Sequence, residues 1–166
     1  MKILIVSDSH GDHSAIERVI SKNPDADLLI YLGDGYRDFV SVKSKNPEIP
    51  MVAVKGNTDY SCSEPDDRVM ALEGVRFFIT HGHKYLVKRG LDMLINRAIE
   101  LNADIALFGH THIRKETEKN GLILINPGSC ARDANNCISY AVVNVNKGKI
   151  NREMVKTEPE EHRMQR

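Results

Sequence analysis

The chain has 166 residues, 41% of them apolar, and its 23 basic and 23 acidic side chains leave a formal net charge of zero. That length suits one domain with a sizeable core, neutrality gives no global attraction to nucleic acid, and no apolar run approaches the ~20 residues that span a bilayer. Asp8 sits where a secretory leader would keep its apolar segment, and Cys62, Cys130 and Cys137 lack ligand spacing, so a cytoplasmic protein with free thiols is expected.

Ile3–Val6 reads as the first strand. Asp12–Lys22 follows as a helix with Ala15, Ile16, Val19 and Ile20 on one stripe, stopped by Asn23-Pro24. Leu28–Leu32 is the next strand, Tyr36–Ser44 a second helix ended by Asn46-Pro47, and Met51–Val54 a third strand. Polar Ser61–Asp67, with Pro65, predicts a loop, and Val69–Leu72, Glu73-Gly74 and Val75–Thr80 a hairpin. Leu86–Leu101 predicts the longest helix, from Leu86, Leu91, Leu94, Ile95, Ala98 and Leu101. Ile105–Phe108 is another buried strand. Two hairpins come after it: Ile113–Glu118 with Leu122–Ile125 about Asn120-Gly121, and Ser139–Val145 with Lys149–Val155. The order predicts an α/β fold of two stacked mixed β-sheets flanked by helices, with one domain over 1–156 and a frayed charged tail over 157–166.

Five apolar runs end in the same way. They lead into Asp8-Ser9-His10, Gly33-Asp34, Gly56-Asn57, His81-Gly82-His83 and Gly109-His110-Thr111-His112. In open α/β sheets, ligands bind beyond the carboxyl ends of the strands. Turn preference alone accounts for Asp, Asn and Gly after one or two strands. It does not account for six of the seven histidines falling at such positions, with only His162 elsewhere. Imidazole, carboxylate and amide donors without a thiolate suit Mn²⁺, Fe²⁺, Zn²⁺, Ni²⁺ or Co²⁺ rather than a structural zinc knot. Seven candidate donors (Asp8, His10, Asp34, Asn57, His81, His110 and His112) exceed the needs of one ion with an open position. They fit two ions roughly 3.5–4 Å apart, the arrangement used for in-line displacement at phosphorus.

The ordered set Asp8-x-His10, Gly33-Asp34, Gly56-Asn57, His81-Gly82-His83 and Gly109-His110-x-His112 resembles the calcineurin-like metallophosphoesterase superfamily. With its short length, Thr80-His81-Gly82-His83 and Ile125-Asn126-Pro127-Gly128-Ser129, the chain is most similar to the small phosphodiesterases of the YfcE type. The resemblance implies a β-sandwich flanked by helices, with two divalent ions per chain and Mn²⁺ the first choice. It assigns Asp8, His10 and His112 to one ion, Asn57, His81 and His110 to the other, and Asp34 to both. It also implies hydrolysis of a small-molecule phosphodiester by a hydroxide held on the metals. No membrane or nucleic-acid partner is expected, and a homo-oligomer is left open.

The third motif departs from the family pattern. Many members continue it with a histidine that protonates the leaving group, and here the run is Gly56-Asn57-Thr58-Asp59. Asn57 and His83 are the candidate catalytic residues, and Thr58 and Ser129 the candidate substrate contacts. Asp38 and His13 read as surface residues, Asp59 as a structural cap, and Gly11 and Gly35 as turn formers. Lys84, Lys88, Arg89 and Arg97 read as a basic, solvated stretch that could attract phosphate. The competing functions are a non-catalytic protein-binding scaffold on the same fold, as in the retromer subunit, and a phosphomonoesterase.

Overall fold

Alternating apolar residues sort the strands into layers in the computed structural model, which describes residues 1–133 and 137–157. The strands are β1 (Lys2–Val6), β2 (Leu28–Tyr31), β3 (Met51–Ala53), β4 (Asp67–Leu72), β5 (Val75–Thr80), β6 (Ile105–Leu107), β7 (Lys115–Lys119), β8 (Leu122–Asn126), β9 (Ser139–Asn146) and β10 (Lys149–Lys156). The helices are α1 (His13–Ser21), α2 (Tyr36–Lys45) and α3 (Asp92–Glu100). In β1, Ile3 and Ile5 face the space between the sheets, while Leu4 and Val6 face α1 and α2. In β5, Phe77 and Ile79 face the same inter-sheet core, and Phe78 packs under α3 with Leu94, Ala98 and Phe108. The period of two along a strand separates these residues into three cores and four layers.

One sheet runs β10-β9-β1-β2-β3 and the other β4-β5-β6-β8-β7, each with parallel and antiparallel pairs. This is the expected α/β architecture of two mixed sheets flanked by helices. Near-complete burial makes each core side chain costly to remove, and Phe78→Ala should lose ~3–5 kcal/mol. The Asn120-Gly121 hairpin forms as read, with φ of 53° and 80° at the two turn residues.

The third helix is shorter than its apolar spacing suggested. Leu86 adopts φ 50° and is exposed, a short 3₁₀ turn spans His83–Tyr85, and the helix begins only at Asp92. A left-handed residue cannot propagate a right-handed helix, so the apolar spacing between Leu86 and Leu91 comes from a folded loop. Asp38 is also not a solvated residue: it is 8% exposed. The predicted tail falls, from residue 158 onward, outside the described residues.

Candidate metal centre

All five strands that carry the donor motifs end at the same edge of the sandwich. The loop after β1 is tied to the loop after β2 by Asp8 N–H donating to Gly33 O at 2.9 Å and His10 N–H to Asp34 O at 3.1 Å. The loop after β6 is tied to the end of β5 by Gly109 N–H donating to His81 O at 3.1 Å. His110 N–H then donates to Asp8 Oδ2 at 3.1 Å, which joins the loops of the two sheets.

These approaches are tight. A Cβ at Gly109 would collide with the Ser7 hydroxyl and the Asp8 carboxylate. At Gly33, φ is 97° and a Cβ would lie 2.6 Å from Gly56 N. Asp8, His10, Asp34, His110 and His112 all have positive φ, between 44° and 67°. Non-glycine residues rarely adopt this conformation, and its concentration on donor residues marks a site whose geometry is enforced by its surroundings.

Two groups of donors result, Asp8–His10–His112 and Asp34–His81–His110, each with ligand atoms within 4.8 Å of one another. In the first, His10 Nε2 and His112 Nε2 are 3.1 Å apart, and Asp8 Oδ1 lies 3.7 Å and 3.2 Å from them. Asp8 Oδ1 is buried and accepts no hydrogen bond. In the second, His81 Nε2 lies 3.4 Å from Asp34 Oδ2 and 3.1 Å from Asn57 Oδ1. Asp34 Oδ2 is also 3.9 Å from His10 Nε2, so this oxygen lies between the groups. Its other oxygen accepts from Thr58 N–H at 2.9 Å.

His81 tests whether a cation fits. Its Nδ1 is 2.6 Å from Leu32 O, a pure acceptor, so Nδ1 carries the hydrogen. Nε2 then points a lone pair at two further acceptors. Either a proton on Nε2 or a cation in the gap removes the conflict. Burial pushes the His81 pKa down, but Asp34, Asp8 and the Leu32 carbonyl outweigh it and leave the pKa raised. That is the same demand for positive charge, met by a proton. Burial likewise works against charge on Asp34, yet His81 and Thr58 hold its pKa below the usual carboxylate range. The donor set and the unpartnered Asp8 Oδ1 both fit divalent ions.

Residues 1–148 match the calcineurin-like phosphoesterase superfamily domain. The chain belongs to that superfamily. It is 34% identical over 131 residues to the probable metallophosphoesterase YsnB of Bacillus subtilis, covering 78% of this chain and 75% of the relative. It is 30% identical over 154 residues to the phosphodiesterase YfcE of Escherichia coli K12, covering 78% and 79%. Vps29 from Entamoeba histolytica shares the fold, with a TM-score of 0.75 over 95% of this chain and all of that one, at 19% identity.

In this calcineurin-like chain, three carboxylates behind the donors hold the loops, and two of them gave no such signal in the sequence. Asp59, 7% exposed, accepts from four backbone N–H groups: Asp34 and Gly56 at 2.8 Å through Oδ2, and Gly35 and Tyr36 at 2.9 Å through Oδ1. It locks the Asp34 loop to the Asn57 loop and caps α2. Asp38 Oδ2 accepts from Ser9 Oγ at 2.5 Å and Gly11 N–H at 2.8 Å, which anchors the loop that carries His10. Asp12 is the third; its side chain caps α1 through Ala15 N–H at 3.1 Å. A cap signal was visible for Asp59, but three of its four partners, Asp34, Gly35 and Tyr36, are remote in sequence.

The remaining candidates lie as follows. Asn57 and Thr58 are exposed at the rim, and His13 is exposed on α1. The Ser129 hydroxyl donates to Asp8 O at 2.7 Å and accepts from Ala131 N–H at 3.2 Å, so it is committed to the Asp8 loop. His83 has its ring 5.4 Å from His81 and 6.2 Å from His110, and its buried Nδ1 has no partner. Burial and the neighbouring His81 depress its pKa. Burial first, and then His81 and Lys88, bring His110 down to about 4.

Proposed function

We propose that the protein is a two-metal phosphodiesterase that hydrolyses a small-molecule phosphodiester. One ion would be held by Asp8, His10 and His112 and the other by Asn57, His81 and His110, with Asp34 placed between the two groups. The observation that carries this reading is that Asp34 Oδ2 and Asn57 Oδ1 lie 3.4 Å and 3.1 Å from His81 Nε2, which in the neutral ring has no hydrogen to give once Nδ1 is committed to Leu32 O. Bound there, divalent ions supply an acidified water and positive charge for the phosphoryl oxygens. Mn²⁺ is the first choice, with Ni²⁺, Fe²⁺, Zn²⁺ and Co²⁺ as alternatives of matching ligand preference. Residues 1–156 form the catalytic domain, and a cytoplasmic location agrees with Cys62, Cys130 and Cys137 forming no disulfide among the described residues.

The chain's own residues set the rest. Asn57 offers one oxygen at the rim, where substrate enters. Thr58, beside it, cannot donate a proton to a leaving alkoxide near neutral pH, and its N–H is already used on Asp34. Its hydroxyl is left as a contact to the ester. Ser129 acts by fixing Asp8. His83 is the remaining proton donor, and its depressed pKa leaves little of the protonated form available near pH 7. The rate should therefore depend steeply on the leaving group.

The test is hydrolysis of bis-p-nitrophenyl phosphate by manganese-loaded protein, with metal content measured in parallel. We expect about two ions per chain, turnover of the diester, and a larger gain for poor leaving groups than for good ones on Thr58→His. Chelation should lower the melting temperature and leave the secondary structure intact, because the cores form without the ions. Failure to turn over any phosphate ester would favour the protein-binding scaffold that shares this fold. A clear preference for monoesters would favour a phosphomonoesterase.

A further inference from the structure

The donor face is bordered by two depressions of different character. One, of about 590 Å³, runs from His10 and Thr58 past Tyr36, Val40 and Tyr60. The other, of about 680 Å³, begins at Phe108 and Thr111, which flank His110, and is lined by Lys88, Arg89, Arg114 and Lys115. Thr111 belongs both to this groove and to the loop between His110 and His112, so the groove is continuous with the metal centre.

The basic stretch from Lys84 to Arg97 is exposed as expected, but only Lys88 and Arg89 of its cations line this groove. Lys84 is paired with Asp66, Arg97 with Glu100, Lys119 with Asp92, and Arg152 with Glu116. Lys88, Arg89, Arg114 and Lys115 are exposed and lack any side-chain hydrogen bond or ion pair to the described residues. Among the described residues, no carboxylate lines the groove. In a chain whose formal charges cancel, four unpaired cations around one concavity focus a local positive potential. Two guanidinium and two ammonium groups match the several oxygens of a phosphate, the former as planar forks. The scissile phosphoryl group would lie at the donors, so the groove recognises something beyond it.

We propose that this groove binds a second phosphate group, carried on one arm of the phosphodiester that is hydrolysed. The substrate class is then a small phosphodiester with an additional phosphate monoester. The assignment rests on the phosphodiesterase reading above.

Two substrates with the same leaving group test it: thymidine 5′-(p-nitrophenyl phosphate) and the same compound bearing a 3′-phosphate. With the manganese-loaded full chain, the 3′-phosphorylated substrate should show about tenfold higher kcat/KM, mainly through KM. That is the low end of the gain expected from a cleft of one charge sign. The advantage should shrink as salt is added. The double variant Arg89→Ala, Arg114→Ala should erase it while hydrolysing bis-p-nitrophenyl phosphate as before. Equal kcat/KM for the two substrates in the unmodified protein overturns the proposal, as does a preference that survives in the double variant. In either case, continued turnover of bis-p-nitrophenyl phosphate leaves the phosphodiesterase reading standing. No turnover of that diester by the unmodified protein would remove both.

Discussion

The two donor groups are built from similar residues but held differently. His81 is fully buried, its second nitrogen is fixed by Leu32 O at 2.6 Å, and the Asp34 side chain beside it is 4% exposed. The side chains of His10 and His112 are 35% and 49% exposed, and among the described residues neither ring has a second hydrogen bond to orient it. A ring oriented through its other nitrogen keeps its donor aimed when the ion leaves, and such support is worth about 10–100-fold in metal affinity. The group around His81 should therefore bind the tighter ion, and the group around His10 the one that exchanges.

The largest effect should come from the residue the groups share. Asp34→Asn removes the charge that serves both, and should cost about 10³-fold in kcat/KM with loss of both ions by elemental analysis. Retention of one full ion by this variant would mean that Asp34 belongs to one group only.

The sharpest separation should come from paired single variants. His81→Ala should remove the tight ion and leave Leu32 O without its buried partner, lowering stability by ~1–3 kcal/mol. His112→Ala should keep the tight ion, weaken the other by about 10–100-fold, and leave the denaturation midpoint nearly unchanged. Equal losses in metal titrations of the two variants would break the comparison.

Asp59 supports only the buried side, through Asp34 and Gly56. Asp59→Ala leaves four backbone donors without their acceptor and should cost about 3 kcal/mol in denaturant unfolding. It should also weaken the tight ion more than the exchanging one.

The smallest effect is on pH. In metal-free protein the His81 pKa is raised, so its contribution to stability is fully present below its unfolded value of 6.5 and is lost as pH rises through the higher folded value. Asp34 has a lowered pKa, and its contribution is present above 3.8 and lost only in strong acid. Metal-free protein should therefore weaken slightly as pH rises above 6.5, while manganese-loaded protein strengthens because binding needs neutral imidazole. Denaturation midpoints across that range, with and without manganese, check the opposite slopes. Parallel slopes would mean that His81 is not an ion's ligand.

Much of this was legible in the chain because it is local. Donor residues follow apolar runs within a few positions, and parallel strands bring their carboxyl ends to one edge, so the spacing Asp8-x-His10 or His110-x-His112 already implies a shared site. The layers were legible too, since strand periodicity sorts Ile3 and Ile5 from Leu4 and Val6 without reference to the partner sheet. What is non-local was hidden. Asp38 looked like one polar residue on a helix until Ser9 and Gly11, more than 25 positions away, arrived to bond it. Asp59 gathers N–H groups from two segments, and Leu86 extended an apolar spacing that its positive φ interrupts. The four unpaired cations come from the loop after β5 and from the end of the loop after β6 with the start of β7, and only the packing of these segments puts them around one groove. Sequence alone determined which donors exist and that strand ends would carry them. Tertiary structure decided which donor is buried, which is oriented and which charges go uncompensated, because burial and pairing depend on segments that are distant along the chain.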